Sequence, residues 1–187
     1  MRNAYALIGI TAVIVLVGAW YAVNRNSTEP VDTSEPMTST FSLTSSAFEN
    51  SGKMPSKFTC DGAGISPPLS WSGVPEGAQS LVLIVDDPDA VGGTWDHWVI
   101  FNMPPTARGT EEGREPSGVS GGNSWGRGGW GGPCPPSGTH RYFFRLYALD
   151  TMLPLGAGAS KQEILAAMEG HIVAQAELVG NYQRVAQ

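Results

Sequence analysis

Two groups of side chains in this sequence could do chemistry, and each group lies at the end of an apolar run. The first follows the run 81–85 and precedes the run 98–101, and the second leads into the run 142–149 and includes its first residue. The candidate residues are Asp87, Asp89, Trp95 and His97 in the first group, and Pro135, His140 and Tyr142 in the second. Charged side chains at the rim of a buried sheet are usually kept there for binding or catalysis rather than for packing.

The types of these residues favour the binding of a small anion. Two imidazoles and a phenol supply hydrogen-bond donors, and a neighbouring carboxylate can orient an imidazole. His140 and Tyr142 are two residues apart in an extended segment, so their side chains point to the same side. We therefore predict that both groups converge on one cavity that takes a phosphate or carboxylate group with a small apolar or cationic substituent.

The elements that must position these residues are β-strands. The short, β-branched run 81–85 and the runs 98–101 and 142–149 predict central strands of a buried sheet. Abundant glycine and proline, with little helical periodicity, favour a mostly β domain with long loops. A capping box at Ser160 and Glu163 predicts one short helix over 161–169.

An ordered set of motifs resembles the phosphatidylethanolamine-binding protein family, and most closely its bacterial branch of Raf-kinase-inhibitor-like proteins. The motifs are Asp87-Pro88-Asp89, Trp95-Asp96-His97, Gly132-Pro133-Cys134-Pro135-Pro136 and His140-Arg141-Tyr142. Phe58-Thr59-Cys60-Asp61-Gly62, Ser66-Pro67-Pro68-Leu69-Ser70-Trp71 and Met168-Glu169-Gly170-His171 are similar to that branch too.

This resemblance carries several expectations. It implies a β-sandwich with a central antiparallel sheet, few short peripheral helices and a last strand over 171–182. It also implies a small anion pocket that accepts phosphate-bearing head groups. A cis bond between Asp87 and Pro88 is expected, because X-Pro bonds have only a small trans preference and the chain turns sharply there.

The chain divides into three parts. Residues 1–23 are apolar enough to predict a membrane anchor or a signal segment, and 19 apolar residues of a helix would span roughly 28 Å. Residues 24–40 are polar and predict a disordered tether, and residues 41–187 form the globular domain. We favour an uncleaved anchor that holds the domain outside the cytoplasm, in the cell envelope; secretion after cleavage is the alternative.

Charge and cysteine content narrow the choice of partners. The net charge of −6 and the absence of a cluster of Lys and Arg argue against nucleic acid. Cys60 and Cys134 are the only cysteines, and either a disulfide or two separate buried thiols is compatible with the sequence. From the sequence we slightly favour separate thiols.

Three other functions compete with ligand binding. A metal site would use two His and an Asp, but no local ligand spacing is present and we predict neither metal nor cofactor. A hydrolase would need a nucleophile such as Ser137 or Cys134, but the sequence has no nucleophile elbow, so we predict no enzyme activity. A surface that inhibits or regulates a kinase or protease is the principal alternative, on fold-level analogy with relatives.

Overall fold

The structure is a computed structural model, and it describes residues 40–184. The predicted anchor at 1–23 and nearly all of the predicted tether at 24–40 lie outside the described residues. Within the described range, no helix has both the length and the apolar character that a membrane crossing requires.

The described domain is built from nine strands and one α-helix, in two sheets. A sheet of three strands has the order β1-β3-β6, and a sheet of six has the order β2-β9-β8-β4-β5-β7. The elements are β1 (Ser42–Thr44), β2 (Gly52–Lys53), β3 (Leu69–Ser72), β4 (Ser80–Asp87), β5 (Trp95–Met103), β6 (Gly109–Thr110), β7 (Val119–Ser120), β8 (Thr139–Leu149), α1 (Lys161–Met168) and β9 (Ile172–Gln183).

The predicted central strands are confirmed as β4, β5 and β8, which are neighbours in the large sheet. Every residue of β4 is buried, as its continuous apolar run requires when both faces of a sheet are covered. Both neighbours pair with β4 in antiparallel register. The sheet departs from a purely antiparallel arrangement only at its edge, where β2 pairs with β9 in parallel.

The two faces of the large sheet carry separate cores. One face packs against the small sheet, where Leu69 and Trp71 of β3 meet Leu83 and Val85 of β4. The other face packs against α1, which contributes Ile164 and Met168. The predicted sandwich with a peripheral helix is therefore confirmed for the described part of the chain.

The local signals at the C-terminal end are also confirmed. The Ser160 side chain accepts from the backbone of Glu163, whose carboxylate accepts from the backbone of Ser160, so the capping box is complete. The helix ends one residue earlier than predicted, at Met168. The predicted last strand is β9, which pairs along almost the whole of β8.

Candidate functional site

A buried hydrogen bond joins the two predicted groups of residues. Asp87 is the last residue of β4 and His140 is the second residue of β8, the neighbouring strand, so the sheet brings together residues that are 53 positions apart. The Nδ1 atom of His140 lies 2.7 Å from Oδ2 of Asp87, and the two residues are 6% and 3% exposed. The other Asp87 oxygen accepts from the backbone N–H of Asp89 at 2.9 Å. The imidazole of His140 is thereby fixed, and its Nε2 has no partner among the described residues.

A β-bulge places His97 on the same side of the sheet. Val85 pairs with Trp98 but Asp86 pairs with Asp96, so β5 carries one extra residue at this point, which is His97. The bulge allows His97 to face Tyr142 while Trp98, the next residue, remains in the core between the sheets. The sequence offered no sign of this bulge, because neither glycine nor a break in the apolar run marks it.

His97 is held as a neutral ring. Its Nδ1 donates to the carbonyl oxygen of Gly131 at 2.6 Å, and the rings of Trp125 and Tyr142 each stand edge-on to it with centroids 5.2 Å away. Burial lowers the pKa of His97 below its usual value, and the bond to Gly131 only partly offsets this. The neutral ring therefore presents Nε2 as an acceptor.

Five of the seven predicted residues line one cavity of about 300 Å³. Its volume is at the lower end of the range of small-molecule pockets, which suits a small ligand or head group. The predicted residues in its lining are Asp87, Trp95, His97, Pro135 and His140, and they are joined by Ala90, Val91, Trp125, Cys134 and Pro136.

The structure does not place Asp89 in this lining. The guanidinium of Arg141 donates to both Asp89 oxygens, at 2.9 and 2.7 Å, and the backbone N–H of Arg141 adds a third bond. These bonds lower the pKa of Asp89 to about 2. Asp89 therefore stabilises the turn after β4 by pairing with Arg141 of β8. Both of its carboxylate oxygens accept hydrogen bonds from Arg141.

Tyr142 also lies outside the lining, because it forms part of the core beneath the cavity. Its ring is fully buried and packs against His97, and its hydroxyl lies near the Asp87 carboxylate but makes no hydrogen bond of good geometry within the described residues. Burial, and next the negative charge of Asp87, raise the pKa of this hydroxyl well above its usual value. Tyr142 and His140 do share one side of β8, as their spacing predicted, but only His140 reaches the cavity.

The mouth of the cavity is apolar, and sequence reasoning missed most of it. Val91 is 86% exposed and Trp125 is 43% exposed, although both are hydrophobic. Trp95 and Trp125 meet edge to face with centroids 5.4 Å apart. The glycine-rich loop 121–130 carries two tryptophans, and a loop anchor is the simplest sequence interpretation of each. This holds for Trp130, whose indole donates to the Phe58 carbonyl, but Trp125 lines the cavity.

Two expectations about the backbone and the cysteines are wrong. The bond between Asp87 and Pro88 is trans, since the described residues contain no cis peptide bond. The turn is closed instead by the bond from the Asp89 N–H to the Asp87 side chain, which needs only the preferred trans isomer. Cys60 and Cys134 are not separate buried thiols: they form a disulfide with Cα atoms 5.4 Å apart, and both residues are exposed.

The geometry of the site can be compared with the two alternatives of a metal site and a hydrolase. Within the described range no three His, Cys, Asp or Glu side chains are grouped to hold a metal ion. Cys134 is oxidised, so it is not available as a nucleophile in this state. The imidazole of His140 is hydrogen-bonded to Asp87, and no hydrogen bond joins it to Ser137 among the described residues.

Comparison with known proteins agrees with the fold and the motifs. The family model described as phosphatidylethanolamine-binding protein matches residues 44–183. The chain belongs to this family. A UPF0098 protein of Methanothermobacter thermautotrophicus is 59% identical over 148 residues, which are 76% of this chain and 98% of that protein.

Two solved structures have the same fold. The crystal structure of CT736 from Chlamydia trachomatis, described as a homologue of phosphatidylethanolamine-binding protein, is similar with a TM-score of 0.76 and 46% identity. It matches over 78% of this chain and 99% of that chain. YbcL of Escherichia coli, described as a member of the mammalian family, is similar with a TM-score of 0.72 and 33% identity, over 78% of this chain and 99% of that chain.

Proposed function

We propose that this member of the phosphatidylethanolamine-binding protein family is a binding protein, without enzyme activity, for a small phosphate-bearing ligand. The observation that carries the proposal is that both imidazoles of the two sequence motifs line one cavity, each fixed through its Nδ1 atom. Fixing one nitrogen of each ring leaves the two Nε2 atoms for a ligand. Preorganised polar groups of this kind raise affinity because little order is lost on binding.

The two imidazoles have different roles in this proposal. When the His140 ring carries both protons, its Nε2–H donates to a phosphate oxygen, while Asp87 holds the other N–H. The neutral His97 ring accepts at Nε2, and it therefore favours a phosphate that still carries one proton. A phosphate monoester loses its second proton near pH 6, so affinity should fall as the pH rises above that value.

The mouth of the cavity would contact the second part of the ligand, the substituent on the phosphate. Val91, Trp95 and Trp125 form an exposed apolar rim, and an apolar or cationic substituent on the phosphate would pack against it. Phenyl phosphate and phosphoethanolamine should therefore bind more tightly than inorganic phosphate. A Trp125→Ala substitution should remove most of that advantage, and it should weaken the binding of inorganic phosphate less than that of phenyl phosphate, although Trp125 also packs against His97.

Calorimetric titration with phosphoethanolamine tests the proposal. His140→Ala should weaken binding by about tenfold or more, since it removes a charge-assisted donor. His171→Ala is a matched control, because His171 also bonds an aspartate through Nδ1, at 2.8 Å to Asp150, but lies outside the cavity lining. Equal affinity in the His140 and His171 variants would overturn the proposal.

We further propose that the domain is held in the cell envelope by residues 1–23. An exposed disulfide supports this location, because such bonds persist in oxidising compartments. Protease accessibility of the domain in intact cells tests it, and full protection would contradict it. Inhibition of a kinase or protease remains the alternative proposal from the sequence, and a His140→Ala variant that kept its inhibitory activity would favour that alternative.

A further inference from the structure

The disulfide forms part of the wall of the candidate site. Cys134 lines the same cavity as His97 and His140, and both Cys134 and Cys60 are exposed. Exposed disulfides are generally more labile toward thiols than structural ones. The bond between these cysteines is therefore both reachable from solvent and next to the proposed ligand.

The wall segment 134–138 has few other attachments. Pro135 and Pro136 have no N–H group, and no hydrogen bond joins residues 134–138 to any other residue that the structure describes. The segment is tied at its start, where the Cys60 N–H donates to the Pro133 carbonyl at 3.0 Å, and at its end, where Thr139 enters β8. Between these points only the disulfide and the packing of Pro135 hold the wall in place.

We infer that the disulfide between Cys60 and Cys134 is a thiol–disulfide exchange site whose oxidation state controls the affinity of the cavity. Its substrates are small thiols and dithiols. The thiolate of such a molecule attacks one sulfur and forms a mixed disulfide, and the bonding electron pair leaves with the other cysteine as a thiolate. A second thiolate then releases the first cysteine, so that the dithiol is oxidised to a disulfide and the protein gains two thiols.

Reduction should weaken ligand binding because the wall must then be ordered by the ligand. Ordering even one residue on binding corresponds to about a tenfold loss in affinity. The coupling is reciprocal, so a ligand that binds the oxidised form tenfold more tightly lowers the reduction potential of the disulfide by about 30 mV at saturation. The predicted effect on affinity rests on the proposed function, which names phosphate as the ligand. The thiol–disulfide exchange itself does not depend on that function.

The experiment compares the full chain before and after treatment with dithiothreitol. Free thiols are counted, and inorganic phosphate is titrated into each form. We expect two new thiols per chain and about tenfold weaker phosphate binding in the reduced form. The double variant Cys60→Ser/Cys134→Ser is the control: it should bind phosphate as the reduced protein does, and dithiothreitol should not change its affinity.

Hydrogen–deuterium exchange supplies a readout that needs no ligand. Peptides covering 131–139 should exchange faster after reduction in the natural protein, and equally fast with and without dithiothreitol in the double variant. If oxidised protein bound no phosphate but exchange in this segment rose on reduction, the proposed function would fail and the redox-sensitive wall would stand. A disulfide that resists dithiothreitol in the folded protein, or unchanged exchange and affinity after reduction, would overturn the inference.

Discussion

The pair formed by Asp87 and His140 makes a quantitative prediction about stability. Replacing His140 with Leu removes the donor at 2.7 Å and leaves the Asp87 carboxylate, which is 3% exposed, without that partner. Removing the partner of a buried charged group costs about 3–5 kcal/mol. Because Asp87 lines a cavity that water can enter, we expect the lower value, about 3 kcal/mol. For a domain of this size the melting temperature should fall by about 6–12 °C.

A double-mutant cycle separates the cost of leaving the Asp87 charge without a partner from the cost of the packing lost with His140. Asp87→Asn alone should cost about 1 kcal/mol, since an amide can still bond His140 in one of its two tautomers. If the two costs were independent, the double variant would lose about 4 kcal/mol. Because Asn carries no charge, the double variant leaves no unpaired charge, and we expect it to lose only about 2 kcal/mol. The difference from additivity is a coupling energy of about 2 kcal/mol between the two residues.

Urea denaturation of the full-length variants near pH 7.5, followed by tryptophan fluorescence and by circular dichroism, measures these free energies of unfolding. His171→Leu is the matched control, because His171 and Asp150 form a similar pair on the surface, where such pairs contribute about 0–1 kcal/mol. The reasoning would be refuted if His140→Leu cost no more than His171→Leu, or if the costs in the cycle were additive within about 0.5 kcal/mol.

Four other predictions follow from particular contacts. Stability should fall as the pH drops below about 6.5, because burial lowers the pKa of His97 in the folded protein and the unfolded chain then binds a proton that the folded protein does not. Urea titrations between about pH 7.5 and pH 5 measure this, and a His97→Phe variant with an unchanged slope would contradict it. Tyr142→Phe should leave phosphate affinity unchanged and change the free energy of unfolding by less than about 1 kcal/mol, because the buried hydroxyl makes no well-formed hydrogen bond among the described residues; a clear loss of affinity by calorimetry would show that the hydroxyl reaches the ligand. Deleting residues 1–40 should leave a folded domain with the same phosphate affinity, since both described cores lie within 41–184; aggregation of the truncated protein would count against this. Replacing Cys60 and Cys134 with Ser should lower the free energy of unfolding by about 4 kcal/mol, from a separation of 74 residues; a cost below about 1 kcal/mol in urea would be inconsistent with closure of so long a loop.

The features that the sequence determined by itself are those with a local physical cause. The run 81–85 could be predicted as a buried strand, because it is short and β-branched and ends in charge and proline. The helix α1 could be placed within one residue, because Ser160 and Glu163 satisfy each other's backbone across a single turn. The same locality allowed His140 and Tyr142 to be assigned to one side of a strand.

The tertiary structure alone decided which of the candidate residues meet. His140 reaches Asp87 because β8 lies beside β4, and this neighbour relation depends on the order of strands in the sheet rather than on any nearby residue. Asp89 and Tyr142 share the motifs of the site but not its cavity, because pairing with Arg141 occupies one and the core buries the other.

The dependence on contacts between distant segments also explains why the disulfide and the role of Trp125 were not predicted from the sequence. The disulfide closes a separation of 74 residues, and no local pattern reports the distance between two loops that distant strands bring together. Trp125 lines the cavity while Trp130, five residues later in the same loop, donates to Phe58, although both are tryptophans among glycines. Local sequence determined the type and orientation of each element, whereas register, strand order and the path of the loops determined the site.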